Sequence, residues 1–193
     1  MSKRSELLDF ALLGLLHDGP THGYELRRRL NEALGAFRAL SYGTLYPALS
    51  GLLDRGLIAQ QAPATGPSSA TPRSAGRIRI VYAITTAGKE AFEKAARRTD
   101  TAAYDDEGFG VRLAFFARTE ADVRMRILEG RRSRVQEQLE TVRENSERGR
   151  ERLDTWTAAL QRHGEESTER EVRWLTELID AERRHPTDPG PQP

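Results

Sequence analysis

Apolar residues recur at helical spacing from the start of the chain. Leu7, Phe10, Ala11, Gly14 and Leu15 predict a first helix over about residues 5–17, ended by Asp18-Gly19-Pro20. Thr21 can N-cap a second helix from His22 to about Leu34, with Leu26, Leu30 and Ala33/Leu34 inward and Gly35 as the stop. A third helix begins at Ser41 or Thr44, places Leu45, Ala48, Leu49, Leu52 and Leu53 on one side, and closes at Gly56. Pro47 falls in or near its first turn, where a missing N–H is tolerated.

The period then changes. Gly56 to Gln60 reads as a short strand, and Arg77 to Ile84 alternates. Ile78, Ile80, Tyr82 and Ile84 share one face of that second strand, and Arg77, Arg79 and Val81 the other. Residues 62–76 are Pro, Ala, Ser, Thr and Gly with the single Arg73, which predicts a flexible loop. The two strands make a hairpin with an arginine edge. Thr85 or Thr86 caps a fourth helix to about Tyr104.

Further on, Phe109, Leu113 and Phe116 fit a short amphipathic helix, and Thr119 caps a long one from Glu120 to about His163, ended by Gly164. Leu128, Val135, Leu139, Val142, Leu153, Trp156 and Leu160 fit a/d spacing along it. Arg132, Ser146 and Gly149 interrupt the repeat, which favours packing in a bundle over a strict coiled coil. Thr168 to Glu171 reads as a capping box for a last helix, Val172 to about Arg184, and residues 186–193 form a Pro/Gly tail expected to be disordered.

Three helices followed by a hairpin is the winged helix-turn-helix plan, in which the third helix enters the major groove of DNA. The expected fold is therefore mainly α: a winged helix-turn-helix domain at 1–104 and an α-helical dimerisation domain at 105–185. The outer face of the third helix supports this. Gly43, Pro47, Ser50, Gly51 and Asp54 lie away from the leucines, with Thr44 and Tyr46 at the edges. A helix lying deep in a groove needs little bulk outside, and two glycines that weaken a helix ask for such a reason.

Composition first seems to argue otherwise. The 193 residues hold 30 Lys+Arg against 29 Asp+Glu, a formal net charge of +1, whereas nucleic-acid binders tend to be basic. Residues 1–104, however, carry 14 basic and 9 acidic side chains, and residues 105–193 carry 16 and 20. No acidic residue lies between Asp54 and Glu90, an interval that holds Arg55, Arg73, Arg77, Arg79 and Lys89. A basic end is masked by an acidic one. Arg73, Arg77 and Arg79 would then contact phosphates, which fix register but read little sequence.

The absence of cysteine excludes disulfides, thiolate catalysis and Cys-ligated metals. Lys3 and Arg4 before the Leu7–Leu16 run resemble a short signal peptide. Asp9 interrupts that run, no small-residue cleavage site follows, and it is too short to span a bilayer. A cytoplasmic protein with no membrane partner is expected. His22 and Glu25 lie one turn apart, but no nucleophile elbow, phosphate loop or metal spacing accompanies them. Neither an enzyme nor a cofactor is expected. Trp156 and Trp174 fit either a ligand pocket or core and interface packing.

Several strings together resemble a known family. Leu13-Gly14-Leu15-Leu16, then Gly19-Pro20-Thr21-His22-Gly23-Tyr24-Glu25-Leu26, is similar to the start of PadR-type transcriptional regulators. Ser41-Tyr42-Gly43-Thr44-Leu45-Tyr46-Pro47-Ala48-Leu49, followed by Leu52 and Gly56-Leu57-Ile58, resembles their recognition helix, and Tyr82-Ala83-Ile84-Thr85 with Gly88 their second wing strand. Leu113-Ala114-Phe115-Phe116 and Trp174-Leu175 resemble the long-tailed subgroup more weakly. The resemblance implies a homodimeric repressor of a palindromic double-stranded operator, dimerised through its C-terminal helices, Leu175 included. It also implies, for some members, a small hydrophobic or aromatic effector. By the same resemblance Tyr24, Ser41, Tyr42, Gly43, Thr44, Tyr46 and Pro47 fall at DNA-facing positions, beside Ser50 from the helix face. The 62–76 loop is longer and richer in Pro and Ala than the family's usual wing. The other reading is a winged helix used only for docking to proteins.

Overall fold

The computed structural model describes residues 2–35, 44–61, 80–149 and 154–184 (of 147–149, the backbone alone). The expected positions Ser41, Tyr42, Gly43, Arg73, Arg77, Arg79 and Leu153, the 62–76 loop and the 186–193 tail lie outside the described residues. The chain forms two compact units. One is Met1–Arg98 with Gly110–Phe115; the other is Thr99–Phe109 with Phe116–Pro193.

The first unit is built around α1 (Lys3–Leu16), capped by the Ser2 hydroxyl, which accepts from Ser5 N. Every residue from Leu7 to Leu16 is buried, as befits a helix that is apolar all round. Against it pack α2 (Gly23–Leu34) through Leu26, Leu30 and Leu34, and α3 (Leu45–Asp54) through Leu45, Leu49 and Leu52. Helix α4 (Thr86–Ala96) adds Phe92, whose ring stacks on Phe10 at 5.0 Å between centroids. Phe115 meets both rings edge-on, and Gly14 leaves room for it: a Cβ there would lie 2.5 Å from Phe115 Cε1.

The sheet has three strands rather than two. β1 (Thr21–His22), β2 (Ile58–Gln61) and β3 (Val81–Ile84) lie in the order β1-β3-β2, all antiparallel. Thr21 therefore does not cap α2. It pairs with Tyr82 in the sheet, and His22 occupies the N-cap position without a side-chain hydrogen bond. Ile58 pairs with Ile84, and Tyr82 is buried against the core. Ile80 lies outside the strand and is exposed.

The base of the hairpin is held by one hydroxyl. Thr85 Oγ1 accepts from Gly88 N at 3.1 Å, capping α4, and lies 2.8 Å from Gly56 O and 3.0 Å from Leu57 O, to which it donates. A Cβ on Gly88 would stand 2.0 Å from Leu57 O, so only glycine permits this approach. Gly56 turns the chain with φ +67°, a left-handed conformation that favours glycine. The fourth helix is shorter than expected. It ends at Ala96, and α5 (Thr101–Tyr104) follows as a separate turn.

After α6 (Gly108–Leu113), the second unit continues in α7 (Ala121–Gly149) and α8 (Thr155–Arg184). The predicted helix of 120–163 does not exist as such. The break falls before Thr155, where the Asp154 carboxylate accepts from Thr157 Oγ1 at 2.6 Å, Trp156 N at 2.9 Å and Thr157 N at 3.1 Å, which together lower its pKa, the hydroxyl most. Gly164 lies inside α8, and Thr168 caps nothing. Its hydroxyl donates to Gly164 O at 2.9 Å, an ordinary bond within a helix. The ion pairs Arg124–Glu182, Arg131–Glu171 and Arg143–Glu165 run in opposite senses along the two helices, so α7 and α8 are antiparallel.

Candidate nucleic-acid interface

Helix α3 divides as its sequence implies. Leu45, Leu49 and Leu52 are at most 1% exposed, while Thr44, Tyr46, Pro47, Ser50 and Asp54 are exposed. A Cβ built on Gly51 would meet nothing within 4 Å. Packing among the described residues therefore does not require this glycine, and they leave the outer face at that point low and open.

Helix α2 borders that face. A Cβ on Gly23 would lie 3.6 Å from Tyr46 Cε1 and 3.5 Å from Tyr82 Cε2. Tyr46 itself is 65% exposed and Tyr24, next to Gly23, is 76% exposed. Burial pushes the buried Tyr82 phenol upward, with a smaller push from neighbouring Tyr46. His22 Nδ1 lies 3.3 Å from Ile80 O, tying the start of α2 to the chain entering β3. The structure thus gathers Tyr24, Thr44, Tyr46, Pro47 and Ser50 on described surface.

Two charged arrangements were missed in the sequence. Asp9 is buried inside α1 and binds Arg55 just beyond α3. A lone acid within an apolar run signals a basic partner elsewhere. On α2, Glu25 accepts from Arg28 Nε and Nη2 at 3.0 and 2.7 Å and from Arg29 Nε at 3.0 Å. The two guanidiniums hold its carboxyl below the usual carboxylate range.

In the second unit, Leu128, Val135, Leu139 and Leu175 are buried within a single chain, and Val142 is half-buried. Trp156 and Leu160 are 84% and 71% exposed. Arg124 is buried, donating to Glu182 and to the carbonyls of Phe116 and Thr119. Arg131 bridges Asp106 and Glu171 and lies over the Phe109 ring, which meets Trp174 edge-on at 6.2 Å. An open groove along α7 and α8 is lined by Arg134, Glu137, Gln138, Thr141, Val142 and Thr168, and is mostly polar. Among the described residues, no cluster of His, Asp and Glu could hold a metal ion, and no helix is long and apolar enough to cross a membrane.

A helical unit with a three-stranded antiparallel sheet and an exposed, low third helix is a winged helix-turn-helix. Residues 12–94 match the model of the transcriptional regulator PadR-like family. Over 52 residues the chain is 38% identical to the negative transcriptional regulator PadR of Bacillus subtilis (strain 168); the match covers 27% of this chain and 29% of that relative's length. Bacillus subtilis PadR in complex with operator DNA aligns with TM-score 0.42 and 19% identity, over 90% of this chain and 98% of that chain. The same protein in complex with p-coumaric acid gives TM-score 0.41 and 19% identity, over 91% and 98%.

Proposed function

We propose that the chain is a sequence-specific DNA-binding transcriptional regulator: a homodimeric repressor acting in the cytoplasm, with each α3 in the major groove of one half of a palindromic operator. The observation that carries this reading is the face of α3. Exposed Thr44, Tyr46, Pro47 and Ser50 surround the open position at Gly51, within a segment whose family is one of transcriptional regulators. Arg73, Arg77 and Arg79 are proposed as phosphate contacts of the wing.

Homodimerisation is proposed through the second unit. Leu128, Val135, Leu139 and Leu175 already pack inside one chain, so Trp156, Leu160 and half-buried Val142 are the apolar residues of α7 and α8 better placed to meet a second copy. A small hydrophobic or aromatic effector is proposed beside Trp174, which remains 38% exposed at the edge of Phe109.

Selection of bound fragments from genomic DNA, followed by titration of the selected duplex at several salt concentrations, tests the reading. A recurring two-fold sequence bound with steeply salt-dependent affinity is expected. Weak, salt-insensitive binding without sequence preference would instead favour a winged helix that docks to proteins. Repeating the selection with aromatic acids tests the effector.

A further inference from the structure

Helix α1 carries one residue that core packing does not explain. Every position from Leu7 to Leu16 is buried, and Asp9 is the one charged residue among them. A leucine there would extend the apolar surface without the desolvation that a carboxylate brings. Buried ion pairs replaced by well-packed apolar residues are often no less stable, so fold stability alone gives little reason for this acid. What Asp9 holds gives a better one.

Asp9 Oδ2 accepts from Arg55 Nη2 at 2.6 Å, and Arg55 Nε donates to Gly51 O at 2.9 Å. The backbone N–H of Arg55 reaches the same carbonyl at 3.3 Å. Gly51 is thus held twice by one residue, whose guanidinium is anchored at its other end in α1. Gly51 is also the open position on the outer face of α3. A glycine weakens a helix because its backbone has more freedom to lose, so the turn that is kept low is also the turn that needs bracing. Leu45, Leu49 and Leu52 press α3 onto the core, but apolar contact is non-directional and does not by itself set an angle. A charge-assisted hydrogen bond has a direction and does.

We propose that Asp9 is a positioning residue for sequence recognition: through Arg55 it fixes the last turn of α3 at Gly51, so that exposed Tyr46, Pro47 and Ser50 meet the base edges at one depth and angle. This rests on the DNA-binding reading above. Asp9 is buried and itself touches no DNA. Its loss should spare the phosphate contacts that hold any duplex, and blur the contacts that tell one sequence from another.

The test compares the full-length protein with Asp9→Asn on a selected duplex and on unrelated DNA, at several salt concentrations and well below the melting temperature of either protein. Asparagine strands no carboxylate, and the Arg55 side chain is exposed enough to reach water. Affinity for the selected duplex should fall about tenfold, near the low end for one mismatched base pair, while affinity for unrelated DNA and the salt slopes stay as they were. Asp9→Leu combined with Arg55→Met removes the pair without leaving a buried charge, and should lose the same preference in its folded state. Asp122→Asn, which takes one acid from the exposed Asp122–Arg126 pair of α7, should keep the wild-type preference. An undiminished ratio between the two DNAs in folded Asp9→Asn overturns the positioning role while leaving DNA binding intact. So does a reduced salt slope in that variant, which would mark a lost phosphate contact instead. A wild type with no preferred duplex overturns the DNA reading itself, and the positioning role with it.

Discussion

Arg55 donates through Nη2 to Asp9 Oδ2 at 2.6 Å, joining the end of α3 to the middle of α1. Its Nε donates to Gly51 O at 2.9 Å, so one guanidinium also holds the last turn of the groove-facing helix. Asp9 is 7% exposed; burial pushes its carboxyl above the usual range, and Arg55 pulls the other way.

Arg55→Met should leave that carboxylate buried and uncompensated. Arg55 is itself partly exposed, so the expected cost at pH 7 is about 2–4 kcal/mol, at or below the usual range for a broken buried pair. The sign with pH follows from the raised pKa. The folded state holds the Asp9 proton more tightly than the unfolded chain, so ionising Asp9 costs stability as pH rises above 3.8 through the folded value. The variant's deficit should therefore shrink on acidification. Urea unfolding at pH 7 and pH 4.5 checks it; an equal deficit at both would exclude a buried charge as the cause.

Gly51→Ala should move stability and binding in opposite directions. The added methyl meets nothing among the described residues, and replacing a helical glycine by alanine gains up to about 1 kcal/mol. Operator affinity should nevertheless fall, because the methyl occupies space at the groove. Thermal melting and a binding titration on the same sample separate the two effects. Undiminished affinity would mean that α3 does not approach DNA closely at this point.

Gly88→Ala should be costly where Gly164→Ala is not. Both positions are helical, but a Cβ at Gly88 meets Leu57 O at 2.0 Å and Ile84 Cγ1 at 2.8 Å, whereas Gly164 has open space. A loss of about 3 kcal/mol is expected at Gly88, at the upper end for overpacking, because the obstacle is backbone. Chemical denaturation of the two variants decides it. Equal stability would place the hairpin base farther from α4 than described.

Arg124→Met should destabilise the second unit by about 3–5 kcal/mol, since it strands the Glu182 carboxylate and removes the donor to two carbonyls. Glu182→Gln, which retains an acceptor, should cost less. Reversal of that order in unfolding experiments would show that Glu182, and not Arg124, is the indispensable partner.

The local stripes of the first unit were legible. Leu26, Leu30, Leu45, Leu49 and Leu52 are buried as their spacing implied, and Thr85 caps α4 through Gly88. What escaped was non-local. Thr21 has the look of a cap, and only its pairing with Tyr82 makes it a strand. Gly164 looks like a stop, but its cost of about 1 kcal/mol is small beside a long helix–helix contact. Asp154, with Thr157 three residues on, was the readable start. The a/d residues of α7 announced a covered face. Periodicity does not say whether the cover comes from another molecule or, as here for Leu128, Val135 and Leu139, from within the same chain.

The rungs between α7 and α8 also bear on how the molecule can change in length. Arg124–Glu182, Glu129–Arg183, Arg131–Glu171 and Arg143–Glu165 tie positions that approach one another in sequence towards the tip. A single residue inserted near Val135 would turn everything beyond it by about 100° and misalign the remaining rungs. Residues added between Gly149 and Thr155 would disturb none of them. Relatives with longer or shorter tails should therefore differ between Gly149 and Thr155, keeping the spacing from one rung to the next along α7 and α8 fixed.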